Sequence, residues 1–162
     1  SIADEEADLN ERQRLAHQWL RTYQITVHQV DSLVDAYAAA QSRAMAITAA
    51  VGEGGGSSSP SEGRFQNAAN EMLELSEKLS VQADELAGQY ERQLEVVRAV
   101  AERNCLHGEI LQCLYIEGLS CAECRRWLAR DRRHEYAASS IYKLRDRALD
   151  RAFDAMVELG YR

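Results

Sequence analysis

The chain of 162 residues has one proline, Pro60, and nine glycines, five of which (Gly52, Gly54, Gly55, Gly56 and Gly63) crowd around that proline. Chain breakers are therefore nearly absent elsewhere, which excludes a turn-rich sandwich or barrel and predicts long helices. No apolar run approaches the roughly 20 residues needed to cross a bilayer, so no membrane span and no membrane partner are expected. The stretch Ser1 to Leu9 is acidic and has no apolar centre, so no signal peptide is expected. Enzymatic signatures are missing as well. There is no P-loop, GxSxG, HExxH or GxGxxG, and His17, His28, His107 and His134 are dispersed. The acidic pairs between Phe65 and Glu102 lack the Glu-x-x-His step of a di-metal bundle. No enzyme and no cofactor are expected.

What is present is globular in composition, 46% apolar and 28% charged. Four cysteines (Cys105, Cys113, Cys121, Cys124) without an export signal read as reduced thiols in a cytoplasm. The net charge of −7 is unevenly spread. Residues 1–51 carry 4 basic and 7 acidic side chains, and residues 52–104 carry 5 and 10. Residues 105–162 carry 10 and 9, and within them 120–151 holds nine basic against five acidic. An acidic body thus precedes a basic end, a distribution that keeps non-specific polyanion binding low while leaving one region able to bind it.

From about Asp8 to Val51, Ala16, Leu20, Tyr23, Val27, Val30, Val34, Tyr37, Ala44 and Val51 mark alternating steps of 4 and 3, with polar interruptions at Gln41 and Thr48. That is the seam of a long helix packed against another helix. A second seam runs from Phe65 to about Glu102 through Ala68, Met72, Leu75, Leu79, Leu86, Val97 and Val100, with Tyr90 and Leu94 beside it. Gln82, Gln89 and Gln93 interrupt it. The Gly/Ser-rich stretch at 52–64 reads as a flexible loop, so the two helices are expected to fold back as an antiparallel, coiled-coil-like hairpin over 1–104.

Residues 105–162 read as a separate, shorter-paced module. A helix around His107–Ile116 ends at Glu117-Gly118, with glycine suited to a left-handed cap. Ser120 and Glu123 form a capping box opening a second helix. A basic stretch from Arg130 to Tyr136 leads to Ser139-Ser140, a second N-cap candidate, and a last helix is expected from Ser140 to about Leu159. This is the layout of a helix-turn-helix unit, whose final helix enters the major groove. Serines at a helix start suit phosphate oxygens, and lysine and arginine suit guanine edges and phosphates. The candidate DNA-binding residues are Ser139, Ser140, Tyr142, Lys143, Arg145, Arg147, Arg132 and Arg133. Cys121-x-x-Cys124 with Cys105, Cys113, His107 and His134 offers a competing structural zinc site. Because it falls inside a predicted helix with Cys124 on the core side, buried free thiols are the reading adopted, with no metal.

The pieces Ile110-Leu-x-x-x-Tyr-Ile-Glu-Gly-Leu-Ser120 and Ser140-Ile-Tyr-Lys-Leu-Arg-Asp-Arg-Ala-Leu149 resemble region 4 of bacterial sigma factors. More closely, they resemble small phage-encoded sigma-like transcription regulators. The resemblance covers about 40 of the 162 residues. It implies an all-α protein of the bacterial host cytoplasm, with a helical hairpin preceding a helix-turn-helix, that regulates transcription by binding a DNA sequence and contacting RNA polymerase. It also implies that Ile141 anchors the last helix while Lys143 and Arg147 face DNA. The chain departs from the family pattern in its longer turn at Arg130–Ala138, in Cys124 where an aliphatic residue is usual, and in Leu114 where a basic one is common. Homodimerisation through the hairpin is a further expectation. The alternative is a structural coiled-coil adaptor or a protein like a phage DNA-packaging small subunit.

Overall fold

Two long helices open the chain. The computed structural model describes residues 6–54 and 59–162, with side chains left undescribed over 51–61. Its elements are α1 (Glu11–Gly54), α2 (Ser59–Arg103), α3 (Cys105–Leu111), a π-helical turn (Gln112–Ile116), α4 (Cys121–Asp131) and α5 (Ala138–Glu158). The expected all-α class holds, and no strand occurs among the described residues. The loop expected at 52–64 is shorter than the glycine content suggested. Residues 52–54 continue α1 and residues 59–64 belong to α2, while 55–58 lie outside the described residues. Pro60 sits in the first turn of α2, where its missing N–H has no intrahelical partner to lose.

Packing divides the chain into two compact units, one of Ser1–Ile25 with Gly88–Arg162, the other of Thr26–Ala87. This grouping follows contacts, whereas the expected division at 104/105 follows chain order. In the Thr26–Ala87 unit, α1 and α2 run antiparallel, with Arg43 paired to Glu71 at 2.5 Å. Ala40, Ala44 and Ala68 are buried there, small residues that let the two backbones approach. Val34, expected in the seam, is 50% exposed. The buried line instead runs through Thr26, Ala40 and Ala44, with Leu33 and Ile47 half-buried. Val34 lies one residue off that line, about 100° around the helix. Val51 lies outside the described side chains.

In the other unit the same antiparallel sense is set by Tyr23 against Tyr90, ring centroids 5.7 Å apart. Gln93, read in the sequence as an interruption, is instead fully buried. Its amide donates to the Trp19 carbonyl at 2.9 Å and to Thr22 Oγ1 at 3.1 Å. Around these packs a core of Leu20, Val96, Val100, Ile110, Leu111, Leu128, Ile141, Leu149 and Met156. Asn104 alone separates α2 from α3. Its side chain accepts from the His107 N–H at 3.0 Å and caps α3 as that helix turns back. The π-helical turn follows directly, and Gln24 of α1 donates to the carbonyls of Tyr115 at 3.3 Å and Ile116 at 2.8 Å. Gly118 then takes φ +73°, as its expected cap role requires, and a Cβ there would sit 2.9 Å from the Gln24 amide oxygen.

His17 is buried in this core, its Nδ1 sharing a 2.5 Å hydrogen bond with the Tyr115 hydroxyl. Its Nε2 has no hydrogen-bond partner and lies 3.7 Å from Glu6. Burial, reinforced by the Arg145 and Arg21 guanidiniums and opposed by Glu6, lowers the imidazole to a pKa of about 4. The folded state therefore holds His17 neutral, whereas the unfolded chain takes up a proton below its ordinary value of 6.5. Stability from this group is complete above pH 6.5 and is lost as pH falls toward 4. By pH 5 the loss amounts to about 2 kcal/mol. Urea midpoints measured from pH 7 to 5 check this. His17→Gln should flatten the curve across that window, and an unchanged slope in this variant would assign the loss to other groups.

Candidate nucleic-acid interface

Two helices carry the basic end. On α4, Ser120 accepts from the Glu123 N–H at 3.1 Å, so Ser120 caps the helix as expected. With Cys124 and Leu128 fully buried, Arg125 and Arg126 emerge on the opposite side. These two arginines, Ala122, Ala129, Glu135 and Tyr136 line an open cleft of about 360 Å³.

The chain leaves α4 through Arg133, a non-glycine residue at φ +53°. The N–H groups of Arg132 and His134 both donate to the Leu128 carbonyl, at 3.0 and 3.3 Å. A left-handed conformation costs an L-residue roughly 1–2 kcal/mol. Arg133→Gly should therefore raise stability by about 1 kcal/mol, read as a higher urea midpoint at unchanged slope. A lower midpoint would show that the arginine side chain contributes more than the backbone strain costs.

The start of α5 differs from expectation. The helix begins at Ala138, and its N-cap is Ala137 with no side-chain cap, so Ser139 and Ser140 both lie inside the first turn and neither caps it. The backbone turns two residues early, where Ala137 is extended at φ −65°, ψ 153° and its carbonyl takes the Ser140 and Ile141 N–H groups. Ser139 is exposed and Ser140 half-buried.

Along α5, Ile141, Arg145, Ala148, Leu149 and Ala152 face the core. The opposite side presents Ser139, Lys143, Arg147 and Arg151, all exposed and four residues apart, hence roughly 6 Å apart along the axis. Lys143, Arg147 and Arg151 have no acidic partner within ion-pair distance among the described residues. His107 of α3 feels the charges of Arg151 and Arg147. Burial first, then Arg151 and Arg147, hold that histidine below its ordinary pKa.

Two proposed contact residues are occupied by the fold itself. Arg145 is only 4% exposed, with Nε and Nη2 on Asp146 Oδ1 at 3.1 and 3.0 Å and its guanidinium 5.1 Å from the Tyr142 ring centre. It sits four residues after Ile141 on the core stripe, so it is a buried structural cation and not a flanking surface one. Arg132 pairs with Glu109 of α3 and lies 6.0 Å from the Trp127 ring centre, bracing α3 to α4. Tyr142 remains 41% exposed, and Arg133 is exposed in the link. Sequence reading missed Arg151, although the step Lys143–Arg147–Arg151 is visible in the chain. It also missed Arg125 and Arg126, which follow from Cys124 and Leu128 being the inward residues of α4.

The cysteines separate. Cys113 and Cys124 are buried and share a hydrogen bond, which with burial holds the Cys113 thiol protonated. Cys121 is half-buried, and Cys105 is exposed with its Sγ 3.6 Å from Glu109 Oε1. No three His, Cys, Asp or Glu side chains are gathered to hold a metal ion among the described residues. No helix among them is long and apolar enough to cross a membrane. A scan against protein-family models, a search of curated proteins and a search of solved structures each returned no match.

Proposed function

We propose that this protein is a sequence-specific regulator of transcription, sigma-region-4-like and of phage or prophage origin, that binds double-stranded DNA through α5. One observation carries the reading. The solvent face of α5 is a run of Ser139, Lys143, Arg147 and Arg151 at helical spacing, opposite a face anchored by Ile141 and Leu149. A row of donors on a rigid helix matches the donor and acceptor code of the major groove, and an anchored opposite face holds it in register. Arg125 and Arg126 on α4, with Arg133 in the link, supply phosphate contacts beside it. The acidic remainder of the chain serves contacts with protein, RNA polymerase or a second copy among them.

Selection from a random duplex pool at about 0.15 M salt tests this. An enriched motif is the expected result. Retention of DNA without a motif would reduce the protein to a non-specific binder. No retention by folded protein would reject the reading. Sizing the particle in solution separates it from the packaging alternative, which requires a ring of many subunits, whereas a regulator is a monomer or dimer.

A further inference from the structure

The link between α4 and α5 builds a cavity as well as a connection. Arg133 turns the chain at φ +53°, and the His134 N–H on the Leu128 carbonyl at 3.3 Å holds the returning backbone to α4. Glu135 and Tyr136 thereby become one side of the cleft of about 360 Å³ whose remainder is Ala122, Arg125, Arg126 and Ala129. That volume falls within the roughly 300–1,000 Å³ of small-molecule sites. On α4, at about 100° per residue, Ala122 and Ala129 lie between Arg125 and Arg126, on the side away from buried Cys124 and Leu128. The two alanines make a floor flanked by two guanidiniums.

None of the three charges at this cleft is neutralised by the protein. Arg125, Arg126 and Glu135 are exposed and form no ion pair among the described residues, whereas nearby Arg130 is paired with Asp131 and Arg132 with Glu109. Two guanidiniums and a carboxylate that line one cavity without meeting each other are complementary to a ligand bearing both anionic oxygens and N–H donors. Arginine forks match phosphate oxygens bidentately, and an ionised carboxylate can only accept. Tyr136 adds a flat apolar surface. It packs partly against the core, with the His134 ring 4.3 Å away, so its position is set before any ligand arrives. Aromatic side chains of this kind stack on nucleobases. Glu135 then selects the base. Guanine presents two adjacent donors, N1–H and N2–H, which one carboxylate takes together. Adenine and cytosine each present one donor beside an acceptor, which sets lone pairs against the carboxylate.

We propose that this cleft binds a guanine nucleotide carrying two phosphates. The base stacks on Tyr136 with N1–H and N2–H on the Glu135 carboxylate, and Arg125 and Arg126 hold the diphosphate over Ala122 and Ala129. The site does not depend on α5 reading DNA. If α5 does so, the nucleotide takes the two guanidiniums that otherwise hold DNA phosphates, and the two ligands compete.

Isothermal titration calorimetry on the whole chain, at about 0.15 M salt and without DNA, provides the test. The probes are guanosine diphosphate, adenosine diphosphate and inorganic pyrophosphate. The expected result is one site for guanosine diphosphate, at least tenfold tighter than for either of the others. Arg125→Ala with Arg126→Ala should weaken guanosine diphosphate at least tenfold, and Glu135→Gln should erase its preference over adenosine diphosphate. All three positions are exposed, so helicity by circular dichroism should be unchanged. No heat from guanosine diphosphate with folded protein would overturn the proposal. Equal affinity for the three probes would do the same, leaving a non-specific anion contact only. A guanine preference that survives Glu135→Gln would also overturn it, by placing the base elsewhere. A failed duplex selection changes none of these outcomes, so the nucleotide site and the DNA-binding reading stand or fall separately.

Discussion

Gly108→Ala is expected to destabilise the protein by about 3 kcal/mol, the upper end for one inserted methyl group in a packed interior. The reason is geometric. Gly108 is buried in α3, and a Cβ built on it would lie 2.4 Å from Ala101 Cβ and 2.7 Å from Ala101 Cα in α2. The obstruction includes backbone, so no side-chain rotation relieves it. Asn104 fixes the approach from both sides, its N–H on the Val100 carbonyl at 2.8 Å and its carbonyl taking the Gly108 N–H at 3.1 Å. Helix α3 must therefore either shift off α2, opening the core at Ile110 and Leu111, or distort its own first turn. Thermal or urea unfolding followed by circular dichroism measures the loss. Gly63→Ala is the matching control. That glycine is exposed in α2 with nothing within 4 Å of a Cβ, so alanine there should stabilise by about 0.5–1 kcal/mol. If Gly108→Ala were as mild as Gly63→Ala, the close crossing of α2 and α3 would be wrong.

Gly108 also shows where sequence reading stops. In the sequence it is a glycine inside a helical pattern, with nothing to separate a close crossing from a neutral surface position. The crossing is a tertiary fact, set by which residue of α2 lies beneath. Periodicity carried much further. The all-helical class, the Gly118 turn and the Ser120 cap all follow from local rules, because each is decided by a residue's own backbone preference or its partner three residues away. Local rules failed where two were in competition. At Val34 a hydrophobic residue sits one step from a line of smaller neighbours, and close packing of alanines won over side-chain size. At Ser139 and Ser140 good capping residues lost to a backbone that had already turned at Ala137. At Arg145 charge suggested surface, whereas its place four residues after Ile141 and four before Leu149 put it on the core stripe. Reading position before charge would have found it.

Arg145 matters because it supplies the contrast that tests the proposed DNA-binding face. If α5 reads DNA through its solvent side, Lys143→Ala with Arg147→Ala should weaken binding at least about thirtyfold, since each base contact is worth roughly 1–3 kcal/mol. Stability should barely change, because both side chains are exposed. If instead they hold phosphates, affinity should fall alike for all sequences, and the slope of log affinity against log salt should lose about one unit for each residue. Arg151→Ala extends the series by one turn. Arg145→Met should do the reverse. Removing a buried guanidinium from Asp146 should cost about 2 kcal/mol of stability. Binding by the protein that remains folded should be nearly intact, because that side chain faces inward. Fluorescence anisotropy on the selected duplex, run well below each variant's unfolding midpoint, separates the two effects. Crossed results, with affinity lost in the surface pair and stability lost at Arg145, would fix which side of α5 meets DNA. Equal affinity loss in both variants would mean that α5 acts through its packing and that the contacts lie elsewhere, with Arg125 and Arg126 on α4 the next to replace.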